Sequence, residues 1–421
     1  MNKINLRLTL VAAGLLAATA VTIHAQTWET LLPSPNFPVA GTGFSALIDP
    51  FSDPANPGVF IGFSTGADGN FSLMRLDPNP VLNATPSYLV NLVDSELSGV
   101  AELGYTLPFS QTPPSRLYAV GSRRAFTVPP LPQNNPYLWM VRTSTNGGDS
   151  WTGIGGDTFR LNSRESAGAY GFAADAGGNV YTCGIAYLKN VGHWIVRKLP
   201  AGGANWQTVS DLTAKGGGYA NGMCFYPGYN LIPSAVFAVG WFNGKWEVRR
   251  SRDHGLTWVS VDSGAGLGNP KKAACDSAGN IFVVGSAPGS SGSSRWVVRM
   301  SSNGGDNWAT MLDVQDGFIN AARNVTADQQ GNIWVAGTTS VGSDKYATPR
   351  WTVVRHSFFE SWSDSWISRQ NSFEENYSIA RGIAADASGN NVFVTGTVQD
   401  WTDGNLNFYP GDCLTVQRLV P

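Results

Sequence analysis

Short segments of alternating apolar and polar residues recur along the chain, and glycine-rich turns separate them. Four of these segments read GFAADAGGNVYTCG, KKAACDSAGNIFVVG, NVTADQQGNIWVAG and GIAADASGNNVFVTG. Alternation with a period of two predicts β-strands with one buried face. Each segment contains Asp-x-x-Gly-Asn at its centre, and these residue types favour tight hairpin turns. We therefore predict a series of β-hairpins.

A second hairpin follows each of the first, with copies such as WMVRTSTNGGDSW, WIVRKLPAGGANW, WEVRRSRDHGLTW and WVVRMSSNGGDNW. Two hairpins make a four-stranded antiparallel unit, whose strands we call A to D in chain order. A glycine ends strand B in seven copies: Gly62, Gly121, Gly184, Gly240, Gly285, Gly337 and Gly396. An arginine recurs in strand C as often: Arg75, Arg142, Arg197, Arg249, Arg299, Arg355 and Arg418.

These repeats predict an all-β protein, a single seven-bladed β-propeller of four-stranded antiparallel blades. The last repeat stops after strand C, whereas residues 26–34 (QTWETLLPS) have the pattern of a strand D. Pairing this N-terminal strand with the last blade would close the ring and cover two sheet edges. An open solenoid would explain the repeat but not its split last copy. The predicted blades cover residues 43–97, 98–156, 167–211, 218–263, 270–315, 319–371 and 379–421.

Residues 1–25 have the pattern of a cleavable signal peptide. Lys3 and Arg7 precede an apolar run from Leu8 to Val21, and Ala25 suits the cleavage position. The apolar run is too short to cross a bilayer. We therefore expect a secreted or periplasmic monomer without membrane insertion. The formal net charge of -2 offers no positive surplus for nucleic acid, so we expect no such partner.

Cysteine and histidine form no metal or cofactor signature. The four cysteines are far apart in the sequence and lie in apolar, strand-like runs: Cys183, Cys224, Cys275 and Cys413. Buried free cysteines are the favoured interpretation, and disulfides of an exported protein are the alternative. The four histidines are equally scattered and lack metal-ligand spacing. We expect no metal and no cofactor.

Tryptophan and arginine recur in register with the repeat, which favours a structural role for both. Five tryptophans begin strand C: Trp139, Trp194, Trp246, Trp296 and Trp351. Large aromatic side chains at equivalent positions remove apolar area from water between neighbouring blades. We predict that these rings pack between blades and that the strand-C arginines belong to the framework.

The turns between strands C and D share a further pattern. SRDHGLTW fits Ser-x-Asp-x-Gly-x-Thr-Trp, whereas STNGGDSW and SSNGGDNW fit it with Asn in place of Asp. The pattern resembles the Asp-box (BNR repeat) of sialidase-like propellers, and the resemblance extends over nearly the whole mature chain. It implies a folding element on the face opposite the active site, formed by Ser144, Asn146, Gly148, Trp151, Ser251, Asp253, Gly255, Trp258, Ser301, Asn303, Gly305 and Trp308.

One of these turns places Ser251, Asp253 and His254 within four positions, the residue types of a nucleophilic site. The two sister segments lack the aspartate and the histidine but keep serine, glycine and tryptophan. Serine and aspartate oxygens can accept hydrogen bonds from turn N–H groups. We therefore assign Ser251 and Asp253 to the turn, and we predict that His254 faces solvent.

The strand order places the B–C and D–A loops together on one face, which we call the loop face. These loops vary in length and content, and ligands commonly bind at such loops. Three cations stand five positions before the A–B turn aspartate of consecutive repeats: Lys271, Arg323 and Arg381. We predict that they surround the channel mouth and bind a carboxylate or sulfate. The alternative is that each pairs with a neighbouring carboxylate, such as Glu374, Glu375 or Asp316.

The resemblance to sialidases implies three arginines that hold a substrate carboxylate, a tyrosine–glutamate nucleophile pair and an aspartate acid-base. The matching residue types on variable loops are Tyr170, Tyr377, Glu165, Glu374, Asp157 and Asp400. Two features depart from the family pattern. The chain has no Arg-Ile-Pro segment, and Lys271 would replace an arginine.

These observations favour a secreted recognition or scaffold protein that binds carbohydrate or protein on the loop face. Its candidate ligand-binding residues are Lys271, Arg323, Arg381 and Trp401, since an exposed tryptophan can stack on a sugar. One alternative is a sialidase-like exo-glycoside hydrolase that uses the same face. A second is a structural envelope or assembly protein. Catalytic residues are not assigned, and the question of enzymatic activity stays open.

Overall fold

A computed structural model describes the following residues: 27–32, 42–48, 58–65, 70–76, 89–94, 99–106, 116–125, 135–341, 348–357, 377–402 and 408–420. These ranges consist of β-strands and turns, together with two single-turn 3-10 helices at Ala265–Leu267 and Ser290–Gly292. The strands form seven antiparallel sheets arranged in a ring. The prediction of an all-β, seven-bladed propeller is confirmed.

Within each blade the strands follow one another in the order A to D. The N-terminal strand is β1 (Thr27–Leu32). Blade 1 contains β2 (Thr42–Ile48), β3 (Val59–Thr65), β4 (Asn70–Leu76) and β5 (Leu89–Asp94). Blade 2 contains β6 (Gly99–Thr106), β7 (Arg116–Arg124), β8 (Tyr137–Ser144) and β9 (Thr152–Phe159). Blade 3 contains β10 (Ala167–Ala174), β11 (Val180–Leu188), β12 (Val191–Leu199) and β13 (Gln207–Leu212).

The remaining blades follow the same order. Blade 4 contains β14 (Gly218–Tyr226), β15 (Ala235–Phe242), β16 (Lys245–Ser251) and β17 (Val259–Gly264). Blade 5 contains β18 (Asn269–Cys275), β19 (Ile281–Pro288), β20 (Ser294–Ser301) and β21 (Ala309–Val314). Blade 6 has three described strands, β22 (Ala321–Ala327), β23 (Ile333–Val341) and β24 (Thr348–His356). Blade 7 contains β25 (Ser378–Ala385), β26 (Val392–Thr402) and β27 (Phe408–Val420).

The N-terminal strand completes the last blade. β1 pairs antiparallel with β27, with Thr27 opposite Val420, so the sheet order is β1-β27-β26-β25. The outer edge of β27 is therefore covered by β1, a strand from the opposite end of the described chain. The predicted closure of the ring by the N-terminal strand is confirmed.

Hydrophobic packing lies between the blades rather than in one central core. Seven clusters of buried apolar side chains each join two neighbouring blades, including a cluster between blades 7 and 1. The five strand-C tryptophans are buried and pack toward the next blade, as predicted: Trp139, Trp194, Trp246, Trp296 and Trp351. Burial of these rings stabilises five of the seven blade interfaces.

The three C–D turns with the Asp-box pattern share one hydrogen-bond network. The serine Oγ accepts from the glycine N–H at 2.8 to 2.9 Å, and the Asp or Asn Oδ1 accepts from the N–H four residues later at 2.8 to 3.0 Å. The tryptophan Nε1 donates to the glycine carbonyl at 3.1 to 3.2 Å in each turn. The residues that the three turns share thus satisfy turn groups, as side-chain-capped turns require.

His254 does more than face solvent. Its side chain is 62% exposed, but Nδ1 lies 3.1 Å from Oδ2 of the buried Asp175 in the A–B turn of blade 3. Its φ is 57°, in the left-handed region where the sister turns have Gly147 and Gly304. His254 therefore adopts a costly backbone conformation and makes a contact between blades, which the prediction of a solvent-facing position missed.

Two strand-C arginines join neighbouring blades through paired hydrogen bonds. Arg197 donates from Nε and Nη2 to the carboxylate of Asp157 on β9, at 2.5 and 3.0 Å. Arg299 makes the same contact with Asp262 on β17, at 2.8 and 2.6 Å. Planar guanidinium–carboxylate pairs of this kind fix orientation as well as charge. The strand-C arginines of these two blades belong to the framework.

The repeated glycine lies inside strand B rather than at its end, as the sequence suggested, and it faces a β-bulge in strand A. In Gly184, Gly240, Gly285 and Gly337, an added Cβ would clash with a strand-A carbonyl oxygen and lie 2.8 to 3.0 Å from the strand-C tryptophan of the preceding blade. Only glycine leaves room for both neighbours. The repeated glycine therefore marks the place where strand A bulges and the preceding tryptophan packs.

Candidate functional site

All seven A strands carry a bulge at the same level, and these strands contact one another around the central channel. One residue in each strand is left unpaired: Phe44, Ala101, Tyr170, Asn221, Lys271, Arg323 and Arg381. A bulge turns the side chain of its extra residue away from the regular alternation. We call these seven positions the bulge ring.

The three predicted cations are the bulge residues of blades 5, 6 and 7. Lys271 interacts electrostatically with Arg323, and Arg323 interacts in the same way with Arg381 and Tyr377. Arg323 also donates from Nε to Thr338 Oγ1 at 3.4 Å. The structure thus brings the three cations together at the loop end of strand A. Glu374 and Glu375, two of the carboxylates suggested as partners, lie outside the described residues.

Burial and mutual repulsion shift the titration of this group. Burial, followed by the charge of Arg323, lowers the pKa of Lys271 to about 8. Burial, followed by the charge of Arg381, lowers the pKa of Arg323 to about 10, and Tyr377 opposes this shift. Desolvation and like charges both disfavour the protonated form of a base. The unliganded protein therefore holds positive charge here at a cost, which a bound anion would relieve.

A hydrogen-bond network connects Lys271 to blade 4. With its amide oxygen facing Lys271, Asn269 accepts from Lys271 Nζ at 3.1 Å and from the Tyr219 hydroxyl at 2.8 Å. Asn221 of the bulge ring donates to the Pro270 carbonyl at 2.7 Å. These contacts position the amine between two blades.

Aromatic side chains occupy the neighbouring part of the loop face. Tyr219 stacks on Trp241, with ring centroids 5.7 Å apart and an interplanar angle of 20°. Burial, with smaller contributions from Tyr187 and Tyr219, raises the pKa of Tyr170 to about 12. Tyr187 remains 38% exposed. Blades 3 and 4 therefore present a group of neutral aromatic side chains beside the cations.

A pocket of about 420 Å³ opens between blades 2 and 3 on this face. Its lining includes two bulge-ring residues, the starts of strands A and C and the end of strand B: Ala101, Tyr137, Ser166, Tyr170, Ile185 and Tyr187. Ligand pockets commonly have this size and a mainly apolar lining with a few polar groups. Tyr170 thus belongs both to the pocket and to the ring that carries the cations.

An ion pair crosses the channel immediately after the bulge ring. Lys272 Nζ donates to Glu102 Oε2 of blade 2, on the far side of the channel, and to the Tyr170 carbonyl oxygen at 2.9 Å. The two side chains are only 13% and 19% exposed. The pair links blades 2, 3 and 5, and it lies in the channel one residue beyond the bulge positions of β6 and β18.

Two of the residues matched to sialidase catalysis by type, Asp157 and Glu165, are engaged in separate structural contacts. Asp157 is held by Arg197 on strands D and C, away from the bulge ring. Glu165 accepts hydrogen bonds from the backbone N–H groups of Asn190 and Lys189, at 2.6 and 2.9 Å, and these contacts lower its pKa. Tyr170 has Tyr187 and Tyr219 as electrostatic neighbours.

The side chains of Trp401, Asp400 and Cys413 lie outside those that the structure describes, as does Glu374. Sequence reasoning missed Tyr219, Asn269 and the Lys272–Glu102 pair. The first two stand at the start of strand A, a level that the repeat could have indicated. Within the described residues, no helix has the length and hydropathy of a membrane span, and no cluster of three metal-binding side chains occurs.

Neither a protein-family model nor a curated protein matches the sequence. Among solved structures, the GH74 xyloglucanase of Xanthomonas campestris aligns with 91% of this chain and 55% of its own, at 14% identity and a TM-score of 0.54. A protein of unknown function from Dyadobacter fermentans covers 91% of this chain and 97% of its own, at 11% identity and a TM-score of 0.45. The sialidase of Trypanosoma rangeli covers 72% and 52%, at 11% identity and a TM-score of 0.37.

The likeness to the xyloglucanase is a likeness of fold, because only 14% of the aligned residues are identical. This chain spans about half the length of that enzyme. The fold of this chain is therefore similar to that of the xyloglucanase. The chemistry of this chain has to be argued from its own residues.

Proposed function

We propose that this protein is an exported recognition propeller whose loop face binds a carbohydrate bearing a carboxylate or sulfate group. One observation supports the proposal: Lys271, Arg323, Arg381 and Tyr170 occupy equivalent bulge positions of one ring, and Tyr170 also lines the pocket between blades 2 and 3. Cations and aromatic rings are thus available to one ligand.

The two halves of the site suit different parts of such a ligand. Guanidinium and ammonium groups bind carboxylate or sulfate oxygens through charge-assisted hydrogen bonds. Tyrosine and tryptophan rings offer apolar faces for the C–H surface of a sugar, together with polar groups for its hydroxyls. An anionic sugar would also offset the repulsion between Lys271 and Arg323.

Binding without catalysis is the form of the proposal that the carboxylates support. A glycosidase needs two carboxyl groups, or an equivalent pair, on either side of the scissile bond. Asp157 is committed to Arg197, and Glu165 is committed to backbone N–H groups. Both side chains thus serve structure, which favours recognition over hydrolysis.

The test is binding of the mature protein to an array of neutral and acidic glycans, followed by calorimetric titration with a retained saccharide. We expect acidic glycans to be retained and Tyr187→Ala to weaken the affinity about tenfold through loss of an exposed ring. Tyr229→Ala is the matched control, because this tyrosine is 45% exposed on the opposite face. Equal affinities for the two variants would refute the loop-face site.

A parallel assay separates recognition from the hydrolase alternative. Release of the fluorophore from a panel of aryl glycosides, including a sialoside, would replace the binding proposal with an enzyme. Absence of both turnover and glycan retention would leave the structural or assembly role. Export is tested separately: the mature protein should be recovered outside the cytoplasm with Gln26 as its first residue.

A further inference from the structure

Two cysteines from neighbouring blades meet within the ring of A strands. Cys224 lies on β14 in blade 4 and Cys275 on β18 in blade 5, and their Sγ atoms are 3.2 Å apart. The two residues are 51 positions apart in the sequence. We propose that Cys224 and Cys275 form a disulfide that joins blades 4 and 5 covalently.

The geometry suits this bond. The sulfur atoms are already in contact and need to approach by about 1.1 Å to reach the length of a disulfide. Both residues belong to the apolar cluster between the two blades, so the interface holds the two thiols together whether or not they are oxidised. Cys183, in strand B of blade 3, packs into a different cluster and provides an internal comparison.

The chemistry is ordinary thiol–disulfide exchange with a small-molecule or protein disulfide as oxidant. One cysteine loses its proton, and its thiolate attacks the oxidant, which releases one thiol and leaves a mixed disulfide. The second cysteine then loses its proton and attacks the protein sulfur, which forms the Cys224–Cys275 bond and releases a second thiol. Two protein thiols are oxidised as one oxidant disulfide is reduced.

The timing of this step follows from burial. A hydrogen bond to Cys224, followed by burial, raises the pKa of the Cys275 thiol well above its usual range, so the folded protein presents little thiolate. Exchange is therefore expected before the interface between blades 4 and 5 closes, or during its transient opening. Once formed, the bond closes a loop of about 50 residues, and such a constraint stabilises the folded state.

The position of the pair connects it with the bulge ring. Cys224 follows Asn221 by three residues on β14, and Cys275 follows Lys271 by four residues on β18. The bond would thus fix two adjacent A strands directly below two ring residues. It acts on the framework of the site and contacts no ligand, so it stands or fails independently of glycan binding.

The direct test is peptide mapping of the full chain, refolded with oxidised glutathione and digested with trypsin without reductant. We expect peptide 216–245 to be linked to peptide 273–295, with a mass two hydrogens below the sum of the two. Cys183→Ala should retain this linkage and Cys224→Ala should lose it. A reductant should lower the Tm of the wild type and of Cys183→Ala by several degrees and leave that of Cys224→Ala unchanged.

Three outcomes would overturn the proposal. The first is recovery of both peptides unlinked, with each cysteine alkylated after refolding with the oxidant. The second is a stable glutathione adduct on Cys224 or Cys275 without the linkage. The third is a linkage of either residue to Cys183 or Cys413. Peptide mapping needs no variant, so the result does not depend on whether a cysteine substitution folds.

Discussion

Replacing either of two consecutive lysines on β18 by methionine should change the stability of the protein, in opposite directions. Lys271 stands in the bulge ring beside Arg323, whereas Lys272 pairs with Glu102 across the channel. Lys271→Met removes a charge that repels its neighbour. Lys272→Met leaves the Glu102 carboxylate largely buried without its cation. We expect the first variant to stabilise the unliganded protein and the second to destabilise it.

The magnitude for Lys271 follows from its pKa, which falls from 10.5 to about 8 on folding. A shift of this size corresponds to about 3 kcal/mol at pH 7, and partial exposure reduces the expected gain to about 1 to 2 kcal/mol. Loss of one partner from a buried ion pair costs about 3 kcal/mol, which is our expectation for Lys272→Met.

The assay is urea unfolding of both variants and the wild type at pH 7 and pH 9.5. A base with a lowered folded pKa makes stability rise with pH between the folded and unfolded values, here between about 8 and 10.5. The advantage of Lys271→Met over the wild type should therefore shrink at pH 9.5. The same variant should bind an acidic saccharide about tenfold more weakly at pH 7. If Lys271→Met destabilises the protein as much as Lys272→Met, the cation repulsion inferred for the bulge ring is wrong.

Three further substitutions or conditions give expected outcomes. The affinity of the wild type for an acidic saccharide should fall as the pH rises above about 8, where Lys271 loses its proton. Lys271→Arg should make the affinity nearly independent of pH in calorimetric titrations up to pH 9. A wild-type affinity that does not change with pH would argue against contact between the saccharide and Lys271. Gly285→Ala places a Cβ 2.9 Å from the Trp246 ring and against the Asn269 carbonyl. Thermal unfolding should therefore show that the free energy of unfolding falls by about 3 kcal/mol. An unchanged Tm would contradict the packing described for this glycine. His254→Ala should be less stable than His254→Gly by about 1 kcal/mol in urea unfolding. Both variants lose the contact with Asp175, but only alanine keeps the cost of the left-handed backbone conformation. The reverse order of stability would contradict the backbone strain inferred for His254.

The repeat allowed the sequence to predict most of the fold. A strand-C tryptophan recurs in five blades, so its position in the repeat indicated its packing before any contact was known. The same counting from the A–B turn aspartate located Lys271, Arg323 and Arg381. Each of these inferences needs only local order, because a repeat protein places equivalent residues at equivalent positions.

The parts of the site that escaped prediction depend on pairs that break the repeat. Lys272 meets Glu102 across 170 positions of the sequence. His254 stands where the sister turns have glycine, yet its contact with Asp175 comes from another blade. No periodicity specifies such partners, since each is a single event between two copies that differ. Residue types alone therefore suggested Asp157 as a catalytic acid, whereas its partner makes it part of the framework.

The bulge ring combines a repeated backbone geometry with side chains that differ from blade to blade. The bulge occurs in all seven A strands although the ring residue differs, so this backbone geometry does not require one particular side chain. Seven such positions already hold an apolar, an aromatic, an amide and a cationic residue in one chain. In the proposed function each ring position offers one side chain to the ligand, so substitutions at these positions would alter ligand choice one blade at a time while the sheets stay the same.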